Sequence, residues 1–230
     1  MKLIISCEHA GNEIPPHYAY LFENNKEVLN SHQGIDLGAF DIYKKLVKLA
    51  DYHEHTTTSR LLIEVNRSQH HRSLFSEFTK SLSPDEKTKL IEKYFSNYRD
   101  KIENKIKEYI ALGENVLHIS VHSFTPVLNG IVREANIGLL YDPANNSEKE
   151  FSKLFKTELK VLNPRLKIRY NYPYKGTADG FTTYLRRRFP LNYAGIELEI
   201  NQSFADEKSL NIVLKNNIYK ALKITVNTLK

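Results

Sequence analysis

The sequence has few of the residues that mark a secreted, membrane-embedded or sulfur-ligated protein. It contains one cysteine, Cys7, among 230 residues, which excludes an internal disulfide and a zinc site built from several cysteines. No apolar run approaches the roughly 18 residues that a membrane span needs, and no signal-peptide pattern follows Met1. We therefore expect a cytoplasmic protein with no membrane partner, whose metal ligands, if it has any, are nitrogen and oxygen atoms.

Internal repeats, low-complexity tracts and Gly/Ser linkers are also lacking, so the sequence predicts a single domain over residues 1–230. Its 41% apolar and 26% charged residues are typical of a soluble globular protein. The net charge is +6, but the 33 basic and 27 acidic residues are mixed along the chain. Since the densest basic run, 186–188, has only three residues, we expect no nucleic-acid partner. The positive balance would equally favour a small acidic substrate.

Apolar segments of strand length alternate with segments of helical periodicity. The strand-like segments are 3–6, 61–65, 116–121, 137–141 and 195–200. This alternation predicts an α/β fold with a mostly parallel central sheet and helices on both faces. Ligands of such sheets bind beyond the carboxyl ends of the strands, so chemically active residues are expected there.

Helix boundaries are predicted from capping residues. Residues 36–50 carry an apolar face at helical spacing, and the longest helix should begin at Ser83 and run towards Gly113. Ser147 with Glu150 forms a second capping box, which predicts a helix start there. A final helix is expected over residues 208–228.

Several polar residues follow the predicted strands and are candidates for a site. His9 comes just after the first strand and is either a ligand or a loop histidine, and the neighbouring Glu8 is either its supporting partner or a surface charge. Asp36, at the start of a helix, is either the helix N-cap or a metal ligand. His122 falls where the strand at 116–121 ends, which makes it a better ligand candidate than His118, whose position is more typical of a core histidine.

Two further segments carry charged residues at strand positions. In a strand over 61–65, Glu64 and Asn66 would share a face, and Arg67 would emerge at the strand end. A guanidinium there either binds a substrate carboxylate through two hydrogen bonds or forms an ion pair with Glu64. Glu197 and Glu199 share a face of an otherwise apolar strand, where a carboxylate is costly to bury without a partner. Glu199 is nearer the carboxyl end of that strand.

Together these residues supply two histidines, an aspartate and a glutamate at the ends of strands and at a helix start. Three protein ligands, an open position for water and a carboxylate base are the components of a catalytic zinc site. The residues alone leave each single assignment open.

The sequence resembles the N-formylglutamate amidohydrolase family, in particular a branch whose first motif reads Cys-Glu-His-Ala. The matching stretches span nearly the whole chain and are SCEHAGNEIP (6–15), HQGIDLGA (32–39), SRLLIEVNRS (59–68), SVHSFTP (120–126), REANIGLLYD (133–142) and IELEINQ (196–202). The resemblance implies a phosphorylase/hydrolase-like α/β fold related to zinc exopeptidases. It also implies a hydrolase that cleaves the amide bond of a small acidic N-acyl amino acid such as N-formylglutamate.

The same resemblance implies roles for individual residues. His9, Asp36 and His122 would hold Zn²⁺ or another divalent metal, and Glu199, rather than Glu197, would be the catalytic base. Asn66 and Arg67 would recognise the substrate carboxylate, and Arg133 would be a further substrate contact. The family's better-characterised members lack the Cys-Glu pair, so the acyl group and amino acid stay open. The alternatives are a carboxypeptidase or peptide amidase of the same fold, and a non-catalytic binding protein.

Overall fold

A six-stranded sheet forms the centre of the structure, a computed structural model that describes residues 1–206 and 209–230. In chain order, the strands are β1 (Lys2–Cys7), β2 (Tyr52–His55), β3 (Val116–Phe124), β4 (Val127–Leu128), β5 (Ile131–Val132), β6 (Ile137–Leu140), β7 (Ile168–Tyr170), β8 (Tyr193–Asn201), β9 (Ala205–Asp206) and β10 (Ser209–Leu210). Of these strands, six form the central sheet, in the order β2-β1-β3-β8-β6-β7, whereas β4 pairs with β5 and β9 pairs with β10 outside it. Each neighbouring pair is parallel except β6 and β8. The prediction of a mostly parallel sheet is confirmed.

Helices cover both faces of this sheet. They are α1 (Lys26–Leu29), α2 (Ala39–Leu46), α3 (Pro84–Leu90), α4 (Asn97–Ala111), α5 (Asn146–Leu162), α6 (Phe181–Arg188) and α7 (Ile212–Leu229). Helices α2, α5 and α7 pack on one face, and α3, α4 and α6 pack on the other. Among the described residues, none of these helices has the length and apolar character needed to cross a bilayer.

The strand predicted over 61–65 is wrong, because this segment is a series of turns. The amide of Leu62 donates to the Ser59 carbonyl at 2.9 Å, and that of Glu64 donates to the Leu74 carbonyl at 2.9 Å. Leu62 and Ile63 are apolar because they fill the core under α3 and α4 rather than a sheet position. The short edge strands β2 and β7 do not show in the apolar pattern of the sequence.

The predicted start and end of the long helical region are confirmed. The Ser83 hydroxyl accepts the Glu86 amide at 3.2 Å, and Gly113 has φ of 78° just after the end of α4. Between α3 and α4, residues Ile91–Ser96 form a π-helical segment.

Two other helix starts differ from prediction. The N-cap of helix α5 is Asn145, two residues before the predicted cap Ser147, because the Asn145 side chain accepts the Glu148 amide at 3.2 Å. The final helix begins at Ile212, where Asn211 caps it. The predicted start at Lys208 lies outside the described residues.

Candidate active site

The polar residues of the site lie on one face of the three central strands, in successive cross-strand rows. Ser120 of β3 lies beside Ser6 of β1 and Glu197 of β8, and His122 lies beside Glu199. The alternate residues of β3, Leu117, Ile119 and Val121, point into the core on the opposite face. The two-residue period of a strand therefore turns one face polar towards the carboxyl ends of the strands.

Asp36 reaches this face from the loop that precedes α2. Its Oδ2 atom lies 3.2 Å from His9 Nδ1 and 3.0 Å from His122 Nδ1. The helix N-cap interpretation of Asp36 is wrong, because Gly38 precedes α2 and no side chain caps the helix. The carboxylate is thus free to face both imidazoles.

The three ligand candidates fit a tetrahedral metal ion. Ligand atoms about 2.0–2.1 Å from zinc are roughly 3.3 Å apart at tetrahedral angles, and both distances to Asp36 Oδ2 are close to this value. One ligand atom from each of His9, Asp36 and His122 lies within 4.8 Å of the others, and all three side chains are buried. Two imidazoles and one carboxylate are a donor set that zinc accepts, although other divalent metals also suit it.

On the side that faces away from Asp36, each imidazole contacts a further carboxylate. His9 Nε2 lies 2.6 Å from Glu64 Oε1. His122 Nε2 lies 2.8 Å from Ser120 Oγ and 3.1 Å from Glu8 Oε2. Metal-binding histidines usually bond through their second ring nitrogen in this way, which fixes the orientation of the ring.

Arg60 connects two of the carboxylates around the histidines. Its Nη2 atom lies 2.6 Å from Glu64 Oε2, and its Nη1 atom lies 3.3 Å from Asp36 Oδ1. The proposed ion pair between Arg67 and Glu64 is therefore wrong, because Arg60 is the partner of Glu64. Sequence reasoning missed Arg60, although its position four residues before Glu64 was a possible signal.

The pKa values of these groups follow from burial and their neighbours. Burial alone would raise the pKa of Asp36, but His9, His122 and Arg60 hold it well below its ordinary value. The pKa of Glu64 is also lowered, against burial, by Arg60 and His9. Burial lowers the pKa of His122, yet Asp36 and Glu8 raise it well above its ordinary value. The histidines therefore lie in a strongly negative environment.

Charge balance gives a second test of the fit to a metal. Burial alone would raise the pKa of Glu8, but His122, His118 and the Ser120 hydroxyl lower it. The ionised Asp36, Glu64 and Glu8 with one guanidinium, Arg60, leave a formal charge of −2 when both imidazoles are neutral. Two added protons on the imidazoles would balance it, and so would one divalent cation. The cation restores neutrality while using the Nδ1 lone pairs as ligands.

Glu199 differs from the other carboxyls of the site. Burial, together with Asp36 and Glu197, raises its pKa from 4.5 to about 7, although His122 and His9 oppose the shift. Within the described residues its Oε2 atom is buried without a hydrogen-bond partner. Glu197, by contrast, is half-buried and accepts the Thr182 hydroxyl at 2.6 Å. The geometry thus leaves Glu199 as the carboxyl with a free atom and a pKa near neutrality.

A cavity of about 170 Å³ opens beside these residues. Its lining includes His9, Asp36, His122, Glu197, Glu199, Arg60, Asn66, Arg67, Ser123 and, from the loop before α6, Tyr174, Lys175, Ala178 and Asp179. Gly138 lets this loop approach the sheet, because a Cβ there would lie 1.9 Å from the Tyr172 carbonyl oxygen. The volume is below the 300–1,000 Å³ typical of pockets for drug-sized ligands, so it suits a small substrate.

The predicted substrate contacts differ in how they meet this cavity. Arg67 donates to the Asp179 carbonyl, and no carboxylate in residues 1–206 or 209–230 forms an ion pair with it. Asn66 accepts the Phe181 amide at 2.8 Å, and its Nδ2 atom lies 3.4 Å from His122 Nε2, so it also holds α6 against the site. Arg133 does not line the cavity but contacts Tyr174, which does.

Two candidate alternatives from the sequence are decided by burial. Glu8 is fully buried and is not a surface charge. His118 is a core histidine with both ring nitrogens bonded, to Ser6 and Tyr193, each at 2.8 Å. Glu8 and Glu64 contact the two candidate ligand histidines on the side away from Asp36. In the sequence, only the position of these carboxylates within or beside apolar segments could have indicated that they are buried.

Comparisons with known proteins agree with this fold. The family model described as N-formylglutamate amidohydrolase matches residues 1–205. A gene product from Agrobacterium tumefaciens is 23% identical with a TM-score of 0.82, over 99% of this chain and 91% of that one. The N-formylglutamate amidohydrolase of Ralstonia eutropha JMP134 is 15% identical with a TM-score of 0.72, over 99% and 93%. At these identities the two structures show a shared fold. No functionally curated protein matches the sequence.

Proposed function

The chain belongs to the N-formylglutamate amidohydrolase family, and from that premise we propose that it is a metal-dependent hydrolase of a small N-acyl amino acid, such as N-formylglutamate. The observation that carries the proposal is the convergence of His9 Nδ1, Asp36 Oδ2 and His122 Nδ1 beside the carboxyl of Glu199. The reaction would break the amide bond between the acyl group and the amino nitrogen. We place this reaction in the cytoplasm, without a nucleic-acid or membrane partner.

His9, Asp36 and His122 would hold the metal, and zinc suits their nitrogen and oxygen donors. When bound, zinc supplies Lewis-acid polarisation of the amide carbonyl and makes a water molecule more acidic. Glu64 and Glu8 would keep the imidazoles oriented during the reaction. Asp36 is held in its ionised form by Arg60 and both histidines.

Glu199 would transfer the proton. Its carboxylate accepts a proton from the attacking water and then delivers it to the departing amine nitrogen. Its position suits this role, because the Oε2 atom has no hydrogen-bond partner among the described residues and is available to take up a proton, and because burial favours the protonated form of the carboxyl. Glu197 is less suited, because its carboxylate already accepts the Thr182 hydroxyl.

The cations at the cavity would bind the substrate. Arg67 has guanidinium N–H groups available for a carboxylate beyond its bond to the Asp179 carbonyl. Asn66 would help to orient the substrate from the wall that it shares with His122. Arg133 would contact only a ligand that extends as far as Tyr174, and there it would help to stabilise negative charge.

The test is a screen of the zinc-loaded protein against N-formyl and N-acetyl amino acids and short peptides, with amine release as the readout. We expect turnover of a small acidic N-acyl amino acid that a chelator abolishes. Glu199→Gln should lower kcat by at least about 10²-fold and keep the metal, whereas Glu197→Gln should retain most activity. Greater loss in Glu197→Gln would reassign the base. A preference for peptides would favour a carboxypeptidase, and binding without turnover would indicate a non-catalytic protein.

A further inference from the structure

Glu8 lies behind the candidate metal site, where neither substrate nor solvent reaches it. It follows β1 directly, is fully buried and does not line the cavity. Its Oε2 atom lies 3.1 Å from His122 Nε2 and accepts the Ser120 hydroxyl at 2.5 Å. Its Oε1 atom accepts the hydroxyls of Ser6 at 2.7 Å and Tyr98 at 2.8 Å. Three hydroxyl donors thus fix this carboxylate in one position.

The hydrogen bonds around His122 determine which of its ring nitrogens carries the proton. A serine hydroxyl has one proton, and Ser120 donates its proton to Glu8. Towards His122 Nε2, at 2.8 Å, the Ser120 oxygen is therefore an acceptor. Both nearest neighbours of Nε2 accept hydrogen bonds, while the one donor, Asn66 Nδ2, is more distant at 3.4 Å. This pattern requires a proton on Nε2.

A proton on Nε2 has a direct consequence for the other side of the ring. In a neutral imidazole the second nitrogen then has a free lone pair. That nitrogen, Nδ1, faces Asp36 Oδ2 at 3.0 Å, where the ligand atoms converge. The opposite tautomer would place a proton on Nδ1 and prevent it from binding a metal.

We infer that Glu8 is a positioning residue that keeps the ring proton of His122 on Nε2 and so leaves Nδ1 as the metal-binding atom. The inference rests on the proposed metal site and adds the group that makes His122 competent to bind. In Glu8→Gln the shape is kept, but the acceptor for the Ser120 proton is weakened. The Ser120 hydroxyl can then donate to Nε2, which favours the tautomer that does not bind metal.

The experiment measures zinc affinity by competition with a chromophoric chelator. We expect Glu8→Gln to bind zinc about 10- to 100-fold more weakly than the wild type, as is typical for loss of a partner behind a ligand. Tyr98→Phe is the matched control, because it removes a hydroxyl from the other oxygen of the same carboxylate. Its zinc affinity should stay within about threefold of the wild type. Equal affinities of Glu8→Gln and the wild type would overturn the inference.

A second readout does not depend on any Glu8 variant. Nitrogen-15 spectra of the histidine rings in the zinc-loaded wild type, assigned with His122→Gln, should show the His122 proton on Nε2. A proton on Nδ1 would overturn the inference even if Glu8→Gln does not fold. If the wild type binds no zinc, the proposed metal site fails. Zinc binding by the wild type together with a ring proton on Nδ1, or with an equal affinity in Glu8→Gln, would instead overturn the inference alone.

Discussion

Replacing Glu199 by glutamine removes an ionisable carboxyl whose environment opposes its charge. The side chain is buried on β8, and one carboxylate oxygen has no partner among the described residues. Glutamine has nearly the same shape and cannot ionise. In metal-free protein, the substitution should therefore stabilise the fold at a pH where the wild-type carboxyl is charged.

The size of the effect follows from the pKa of Glu199, which burial raises from 4.5 to about 7. The unfolded chain loses this proton near pH 4.5, whereas the folded protein keeps it until about pH 7. Wild-type stability therefore falls as the pH rises through this window, and it stays lower above it. The change in pKa from 4.5 to about 7, at about 1.4 kcal/mol for each pKa unit, corresponds to roughly 3–4 kcal/mol.

The assay is urea unfolding of chelator-treated wild type and Glu199→Gln at several pH values. The free energy of unfolding of the variant should exceed that of the wild type by little near pH 4.5 and by about 3–4 kcal/mol above pH 8. Other titrating groups are common to both proteins, so they largely cancel in this difference. A control is Glu197→Gln, which loses a half-buried, hydrogen-bonded carboxylate of the same strand. If the difference in the free energy of unfolding between Glu199→Gln and the wild type does not change with pH, the raised pKa of Glu199 is refuted.

Two further substitutions test other parts of the structure. Arg67→Lys keeps the charge but loses the guanidinium that can donate two parallel hydrogen bonds to a carboxylate. KM for the acidic substrate should therefore rise roughly tenfold with little change in kcat. An unchanged KM would exclude Arg67 as the carboxylate contact. Arg186→Met removes the partner of Glu148, which is fully buried and lies 2.7 Å from Arg186 Nε. Urea unfolding should show a loss of about 3–5 kcal/mol with unchanged zinc affinity, and a loss below about 1 kcal/mol would contradict this account.

The sequence predicted the central strands with good accuracy, and it placed the candidate site residues at the carboxyl ends of those strands. Strands β3 and β8 are buried on both faces, so their apolar runs are long and clear. The alternation within them correctly placed Ser120 and His122 on one face. Because the carboxyl ends of parallel strands meet at one edge, His9, His122 and Glu199 could be expected to converge there.

The features that the sequence did not predict correctly share a physical cause. They depend on contacts between residues that are distant in the sequence, and local sequence patterns do not report such contacts. Residues 61–65 are apolar because they fill the core as turns, not because they form a strand. Strand β2 lies at the sheet edge and has alternating histidines instead of an apolar run. Arg60 binds Asp36, 24 residues away in the chain, and no spacing rule reveals this contact. The role of Glu8 likewise depends on Ser120 and Tyr98, which only the fold brings together.

The most direct test of the account is the metal content of purified protein after dialysis, measured by elemental analysis. The wild type and Glu199→Gln should each retain about one zinc ion per chain, whereas His122→Ala and Asp36→Asn should retain almost none. Zinc retention by the folded His122→Ala variant equal to that of the wild type would contradict the proposed ligand set. So would a wild-type protein that binds no divalent metal.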